Sequence, residues 1–213
     1  MSDAKDRSER FQRIFNDNLW GNNESVSGEG SNLSRTAVVR AKLPGLLARH
    51  GVRSILDAPC GDFFWMKAVD LGGIDYTGVD IVPEIIARDV EQYGGPGRRF
   101  ILCDLVEDAL PQADLILCRD CLVHLPYAET RKTLENFRRS GATWLLTTTF
   151  TGPRDNRDIE LGDWRPINLE RPPYRFPPAV DLINEESDEV DEELGAFPDK
   201  SLGLWRLADL RPW

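Results

Sequence analysis

Three aspartates close three successive short apolar runs, Ile55-Leu56-Asp57, Gly78-Val79-Asp80 and Leu102-Cys103-Asp104. Each alone is ordinary, because aspartate is common where a strand turns out of a sheet. Three at similar spacing are more specific, since neighbouring strands would line their carboxylates along one edge. The first run continues into Ala58-Pro59-Cys60-Gly61-Asp62, where a single glycine stands in place of a dinucleotide-type glycine-rich turn. Asp57 at that strand end would repel a pyrophosphate, which speaks against a nicotinamide dinucleotide and for a ligand with a cationic end. Asp80 lies about 20 residues beyond the turn, where a carboxylate can accept hydrogen bonds from ribose hydroxyls. Asp104, followed by apolar Leu105, suits an adenine amino group and ring.

A fourth apolar run, Asp114 to Cys118, leads into Arg119-Asp120-Cys121-Leu122-Val123-His124-Leu125-Pro126. A histidine titrates near neutrality and suits general-base work, so His124 is a candidate catalytic residue. Asp120 is the rival base, or a group that holds substrate or an ammonium. A His-Leu-Pro step into a helix is equally an anchor. The other histidine, His50, closes an amphipathic stretch and reads as a capping or surface residue. Cys118, Cys121 and His124 have a superficially metal-like spacing, but no second Cys/His pair exists elsewhere. Cys60, Cys103 and Cys118 lie in or just after apolar runs, where cysteine behaves as a small hydrophobe. No metal is expected.

Two further stretches carry mixed chemistry. Between Gly162 and Pro177, Trp164 and Tyr174 could stack on a ring or sugar while Asp163, Arg165 and Asn168 bond hydroxyls. Aromatic–proline packing of a structural loop explains the same residues nearly as well. Upstream, the Trp20–Ser31 loop carries Gly21, Gly28 and Gly30, which would let its backbone approach a ligand closely.

The elements that must position these residues follow from periodicity. Apolar runs at Ser54–Asp57, Tyr76–Asp80, Arg99–Asp104, Asp114–Cys118 and Thr143–Phe150 alternate with predicted helices near 62–70, 83–92 and 127–139. Pro83 and Pro126 stand at helix starts, where a missing amide proton costs nothing. Ser34 signals the start of an earlier helix that carries Val39, Leu43, Leu46 and Leu47, contains Pro44 and ends near Gly51. Strands alternating with helices imply right-handed crossovers and a mostly parallel sheet covered on both faces. Two last strands, at Ala179–Asn184 and Leu202–Leu207, would form a closing hairpin.

The chain has 213 residues, 41% hydrophobic and 29% charged, which is ordinary for one domain. Its formal net charge of -10 disfavours a nucleic-acid partner, which normally demands a positive surface. Much of the excess lies in one acidic run, residues 185–193, expected to be a solvated mobile loop rather than a cation- or partner-binding segment. No stretch approaches the roughly 20 apolar residues of a membrane span, and the start lacks a basic segment followed by a hydrophobic one. A cytoplasmic protein without membrane contact is expected.

Ile55–Asp62, Val79-Asp80-Ile81 and Cys103-Asp104-Leu105 resemble the cofactor motifs of class I S-adenosylmethionine-dependent methyltransferases, and the resemblance spans roughly residues 53–150. It implies an α/β, Rossmann-like fold: a mostly parallel seven-stranded sheet, helices on both faces and a C-terminal antiparallel hairpin. It also implies S-adenosylmethionine as cofactor, with Asp57, Pro59, Cys60 and Gly61 near the methionine part, Asp80 and Ile81 at ribose, and Asp104 and Leu105 at adenine. Arg119 would be a further contact, and the Trp20–Ser31 loop a lid that brings Trp20, Ser27 and Gly28 to the cofactor. The departure is the usual glycine-rich turn, here reduced to Pro59-Cys60-Gly61. A single domain is expected over 1–213, comprising a helix and lid (1–33), a core (34–150), a substrate-facing insertion (151–178) and a hairpin (179–213). The expected reaction is methyl transfer to a small polar acceptor, an oxygen of a glycan or other hydroxylated metabolite. A protein or peptide methyltransferase and a non-catalytic cofactor-binding subunit are the alternatives, and the sequence gives no oligomeric state.

Overall fold

A computed structural model describes residues 3–20, 23–191 and 193–211. Its chain order is α1 (Asp3–Asn16), α2 (Ala37–Arg49), β1 (Ser54–Asp57), β2 (Asp75–Asp80), α3 (Pro83–Tyr93), β3 (Arg98–Leu102), β4 (Leu115–Cys118), α4 (Tyr127–Arg139), β5 (Trp144–Phe150), β6 (Asp181–Asn184), β7 (Val190–Asp191), β8 (Gly195–Ala196) and β9 (Lys200–Arg206). Seven strands form one sheet in the order β3-β2-β1-β4-β5-β9-β6, and β7 and β8 pair separately. Every pair from β3 to β5 is parallel. β9 runs antiparallel to both β5 and β6. The chain leaves β1 towards β2 on one side and reaches β4 on the other, which opens a crevice beyond their carboxyl ends.

The central strands β1, β4 and β5 are buried along almost their whole length, and β4 is apolar throughout, because both faces of the sheet are covered. Successive side chains point to opposite faces, so Ile55, Leu115 and Leu117 join Val39, Leu43, Leu46 and Leu47 of α2 in one core cluster. Leu56, Ile116 and Cys118 join Leu134 and Phe137 of α4 in the other, together with Ile167, Leu169, Tyr174 and Phe176 of the insertion. Cys118 is therefore core, buried within β4.

Three local readings are corrected. The helix expected near 62–70 is replaced by turns and a short 3-10 segment, Met66–Ala68. Left-handed backbone at Gly61 (φ 52°) and Phe63 (φ 54°) cannot belong to a right-handed helix, and Phe63, Trp65 and Met66 are buried by the turn instead. α2 begins after Thr36, not Ser34, and the Thr36 hydroxyl donates back to the Asn32 carbonyl at 2.8 Å. β3 ends at Leu102, so Asp104 lies in the turn that follows it.

The acidic run is solvated over most of its length, as Glu186, Asp188 and Val190 are exposed, but it is corrected at its start and in its pairing. Glu185 is 4% exposed, and its carboxylate takes a two-pronged pair of hydrogen bonds from Arg119, at 3.1 and 2.7 Å. Glu186 pairs with Lys42 at 3.2 Å, Glu189 with Lys200 at 2.9 Å, and Asp188 with Arg35. Basic residues from α2, its approach, β9 and the end of β4 pair with these acids, burying Glu185 while Glu186 and Asp188 stay exposed. Glu192 lies outside the described residues. Removing one partner of a buried ion pair strands the other charge. Glu185→Ala is therefore expected to lower unfolding free energy by about 3–5 kcal/mol in urea titrations, whereas Glu186→Ala, at an exposed pair, should change it by less than about 1 kcal/mol.

Candidate active site

Beyond the carboxyl ends of β1, β2 and β4 lies a cavity with about 1060 Å³ of empty space, its open mouth included. Its floor is the turn after β1. The Cys60 amide donates to the Val79 carbonyl at 2.8 Å, which pins the turn against β2. The Gly61 amide donates to Asp80 Oδ2 at 3.2 Å and the Val82 amide to Oδ1 at 3.0 Å, so Asp80 is oriented by backbone on both sides. Gly61 is required twice over: its φ is positive, and a Cβ there would lie 2.1 Å from Ser27 Oγ. Asp57 accepts the Tyr76 hydroxyl at 2.6 Å. Burial pushes Asp57 up to about 7, against the help of that hydroxyl, and pushes Asp80 up to about 6 against its backbone donors. Among the described residues neither has a side-chain cation at ion-pair distance.

Asp104 closes the next side. Arg7 of α1, 2% exposed, grips its carboxylate with Nη2 at 2.8 Å and also bonds Glu129 of α4. Ile81, Val82, Ile85, Leu105 and Val106 supply apolar wall between Asp80 and Asp104. Phe11, Ile14 and Phe15 of α1 roof the cavity.

The Trp20–Ser31 loop is fastened over the floor by Asp62, whose carboxylate accepts Ser25 Oγ at 2.8 Å, the Val26 amide at 3.0 Å and Ser27 Oγ at 3.2 Å. Arg119 Nη1 donates to the Gly30 carbonyl at 2.8 Å and ties the same loop to the end of β4. Trp20 and Ser27 line the cavity. Gly28, at φ 92°, sits beside Trp20, where a Cβ would come within 3.4 Å of the Trp20 Cβ. Gly21 lies outside the described residues.

At the β4 end the two candidate bases separate. Asp120, left-handed at φ 50°, receives Lys200 Nζ at 3.0 Å and lies 3.2 Å from Arg119 Nη1. Burial alone would raise its carboxyl, but Lys200 and then Arg119 outweigh it and hold the group well below the usual carboxylate range. A group so firmly ionised is a weak proton acceptor near neutral pH. His124 lies 2.9 Å through Nδ1 from the Asp163 carbonyl. A carbonyl only accepts, so Nδ1 carries the proton and Nε2 keeps its lone pair. Burial lowers His124 below the ordinary imidazole value and keeps it neutral at neutral pH. Trp20 stacks on the ring, with centroids 4.8 Å apart.

The structure thus brings Trp20, Ser27, Asp57, Pro59, Cys60, Gly61, Asp80, Ile81, Asp104, Leu105, Arg119, Asp120 and His124 around one cavity. The expected substrate residues are placed elsewhere. Arg165 is fully buried, and its guanidinium meets Tyr174 Oη at 2.9 Å. Asn168 bonds the Gly152 carbonyl at 3.0 Å, and Trp164 packs on Phe150 and Phe197. Asp163 contributes its carbonyl to His124 while its side chain is exposed. Aromatic–proline and polar packing of a structural segment accounts for these residues. Five residues with roles at the site, Arg7, Asp62, Trp65, Glu185 and Lys200, had no sequence signal beyond the motif that contains Asp62. Trp65 lies under the Arg119 guanidinium, 5.5 Å from its ring centre.

No family model matches the chain. It is 27% identical over 150 residues to a malonyl-[acyl-carrier protein] O-methyltransferase of Serratia marcescens, covering 68% of this chain and 56% of that protein. The chain thus spans little more than half the length of that relative. In architecture it is similar to the 1,6-didemethyltoxoflavin-N1-methyltransferase of Burkholderia thailandensis, solved with 1,6-didemethyltoxoflavin and S-adenosylhomocysteine (TM-score 0.58, 18% identity, 93% of this chain and 86% of that one). It is also similar to the N-methyltransferase NodS of Bradyrhizobium japonicum WM9 in complex with S-adenosylhomocysteine (TM-score 0.60, 14% identity, 94% and 98%).

The raised carboxyls carry a pH signature. An aspartate near 3.9 when unfolded but near 6 to 7 when folded binds its proton more tightly in the folded state, so its contribution is full below pH 4 and is lost as pH rises through 6 to 7. The ligand-free protein should lose stability over that window through Asp57 and Asp80. Asp57→Asn should melt higher than the parent at pH 8 and nearly level with it at pH 4, as thermal melts across pH will show.

Proposed function

We propose that this chain, which has the fold of the class I S-adenosylmethionine-dependent methyltransferases, binds S-adenosylmethionine in the cavity beyond β1, β2 and β4 and transfers its methyl group to a small acceptor. The observation that carries the reading is the pair of buried carboxylates, Asp57 and Asp80, held at strand ends without a cation of the chain in contact. Such groups are costly to ionise in isolation and are satisfied by a cationic ligand or by hydroxyl donors. The cavity fits that ligand in parts: Asp57 and the Pro59–Gly61 turn for the methionine end, Asp80 for ribose, and Asp104, Leu105 and the neighbouring apolar wall for adenine. Arg119, pinned by Glu185, sits at the methionine end over Trp65.

When bound, S-adenosylmethionine supplies an electrophilic methyl on a positively charged sulfur. The chain's part is to align the acceptor, exclude water and accept a proton. α1 and the Trp20–Ser31 loop cover the cavity and hold water out. His124, neutral with Nε2 free, accepts the acceptor's proton. Asp120, held ionised by Lys200 and Arg119, anchors those two cations at the same end.

We favour an oxygen acceptor, because a hydroxyl must lose a proton as it attacks whereas a neutral amine attacks with a lone pair already free. Phe11, Ile14, Phe15, Trp20 and Leu125 give the cavity an apolar and aromatic wall, so the acceptor carries a ring or apolar body beside its hydroxyl. With Arg165, Asn168 and Tyr174 committed to packing, a glycan has fewer polar grips than the sequence suggested.

Calorimetry with S-adenosylmethionine and S-adenosylhomocysteine should show binding of both. Asp80→Ala should weaken each about ten- to a hundredfold, the loss expected for about 1.5–3 kcal/mol of charge-assisted hydrogen bonding. No binding by the parent protein would sink the assignment, and NAD binding in its place would point to a dinucleotide enzyme. An acceptor can be sought by incubating metabolite extracts with isotope-labelled S-adenosylmethionine and following labelled products by mass spectrometry. On the acceptor found, His124→Ala should cut turnover about 10²–10⁴-fold with cofactor affinity unchanged, whereas Asp120→Asn, which removes a charge that favours the imidazolium, should move the pH dependence assigned to the base downwards without abolishing it.

A further inference from the structure

Arg165 is fully buried, yet among the described residues no carboxylate lies at ion-pair distance from it. Its Nη1 donates to the carbonyls of Leu122 and Val123, both at 3.3 Å, and its Nη2 to Tyr174 Oη at 2.9 Å, while Nε has no partner. The guanidinium also lies over the Tyr127 ring, 5.4 Å from its centre. A buried cation balanced only by neutral dipoles and a ring face is expensive. Packing alone does not require it, since a long apolar side chain would fill the same space without that cost.

What the charge faces is the turn that carries His124. The Leu122–His124 3-10 turn is gripped by residues 162–165 through backbone as well: the Gly162 amide donates to the His124 carbonyl at 2.9 Å and the Arg165 amide to the Val123 carbonyl at 3.1 Å. The His124 ring then closes the clasp through Nδ1 and the Asp163 carbonyl. Building on the reading of His124 as the proton acceptor, we propose that Arg165 is a positioning residue for it. Its two-pronged bond fixes the turn so that Nδ1 meets the Asp163 carbonyl, and its uncompensated charge disfavours the imidazolium, leaving Nε2 free towards the cavity.

The groups that face His124 pull in both directions. Asp120, after β4, and the Asp163 carbonyl favour the imidazolium; Lys200 of β9 and Arg165 disfavour it, with burial acting the same way. Trp20 covers one face of the ring, and Arg10 of α1 approaches Asp163 to 3.9 Å. Lys200 is shared between Asp120 and Glu189, so its charge is locally balanced. Arg165 is the cation in this set that no carboxylate offsets.

The chain contains two histidines, so nitrogen-15 NMR of the imidazoles reads His124 directly, with His50, bound to Asp181 on another part of the molecule, as internal control. This readout needs neither cofactor nor acceptor, and it therefore fails or succeeds independently of methyl transfer. In the parent, His124 should show the Nδ1–H tautomer and titrate below the ordinary histidine value. Arg165→Met, which keeps length and removes charge, should raise the His124 titration midpoint above the parent's, with the His50 signals as the reference. Arg165→Lys keeps the charge but loses the planar fork, so the midpoint should stay low while the two tautomers become more equally populated. If Arg165→Met does not fold, the tautomer change in Arg165→Lys carries the test alone. His124 signals that match the parent's in every folded variant would overturn the proposal and leave Arg165 as a packing residue.

Discussion

The buried pair between Arg119 and Glu185 ties together distant parts of the chain at a single desolvated guanidinium. Arg119 follows β4 at the centre of the sheet, Glu185 follows β6 at its far edge, and the same guanidinium reaches back to the Gly30 carbonyl in the amino-terminal loop and across to Asp120. A fully desolvated guanidinium has to be met by well-aligned acceptors or the site cannot form. Satisfying it fixes the end of β4, the approach of the loop and the path of the acidic run at once. Lys200 extends the network through Asp120 and Glu189, so the last strand of the sheet is registered against the cavity by charge as well as by backbone pairing.

That network sorts the acidic groups of the site into two kinds. Asp120 is in contact with fixed cations and stays ionised, whereas Asp57 and Asp80, one or two strands away, are contacted only by a hydroxyl and backbone amides and are pushed up by burial, with Arg119 opposing that at Asp57 from a distance. The cavity therefore has an end where fixed cations contact the carboxylate and an end where no cation of the described residues contacts Asp57 or Asp80. A ligand with its own cation completes the second end, which is why the electrostatics suit a sulfonium compound and not a pyrophosphate. His124, neutral and aimed by the insertion, stands at the first end. Environments that drive neighbouring titratable groups apart are how a single site assigns distinct roles to them.

Closure over the cavity rests on polar latches more than on apolar packing. Arg7 secures α1 at Asp104 and Glu129, and Asp62 secures the loop through three donors. Both latches end on residues of the floor, so roof and floor are mutually dependent: the turn needs glycine at position 61 because Ser27 of the roof occupies the space of a side chain there.

Much of this was legible in the sequence, and the boundary is physical. The five parallel strands, the helix from Pro83, the helix over 127–139 and the aspartates that close β1 and β2 follow from period, proline position and chain-local geometry, which a linear pattern records. Gly61 and Asp80 were identifiable because their roles depend on where a strand stops. The sequence could not say that residues 62–70 turn instead of coiling, because that depends on Asp62 capturing a loop 35 to 37 residues upstream in the chain. Nor could it assign the direction of Arg165, Asn168 and Tyr174, whose composition suits a sugar site and a packed core equally; tertiary packing turned them inward, Arg165 onto the Leu122–Val123 carbonyls and Tyr174, and Asn168 onto Gly152. The run looked wholly unpaired because it holds acids and no base, while its partners in space, Arg35, Lys42, Arg119 and Lys200, lie outside it in the chain. Sequence alone determined where charge sits along each element, and only the tertiary structure decided which charges meet, because pairing energy depends on distance and burial and not on order along the chain.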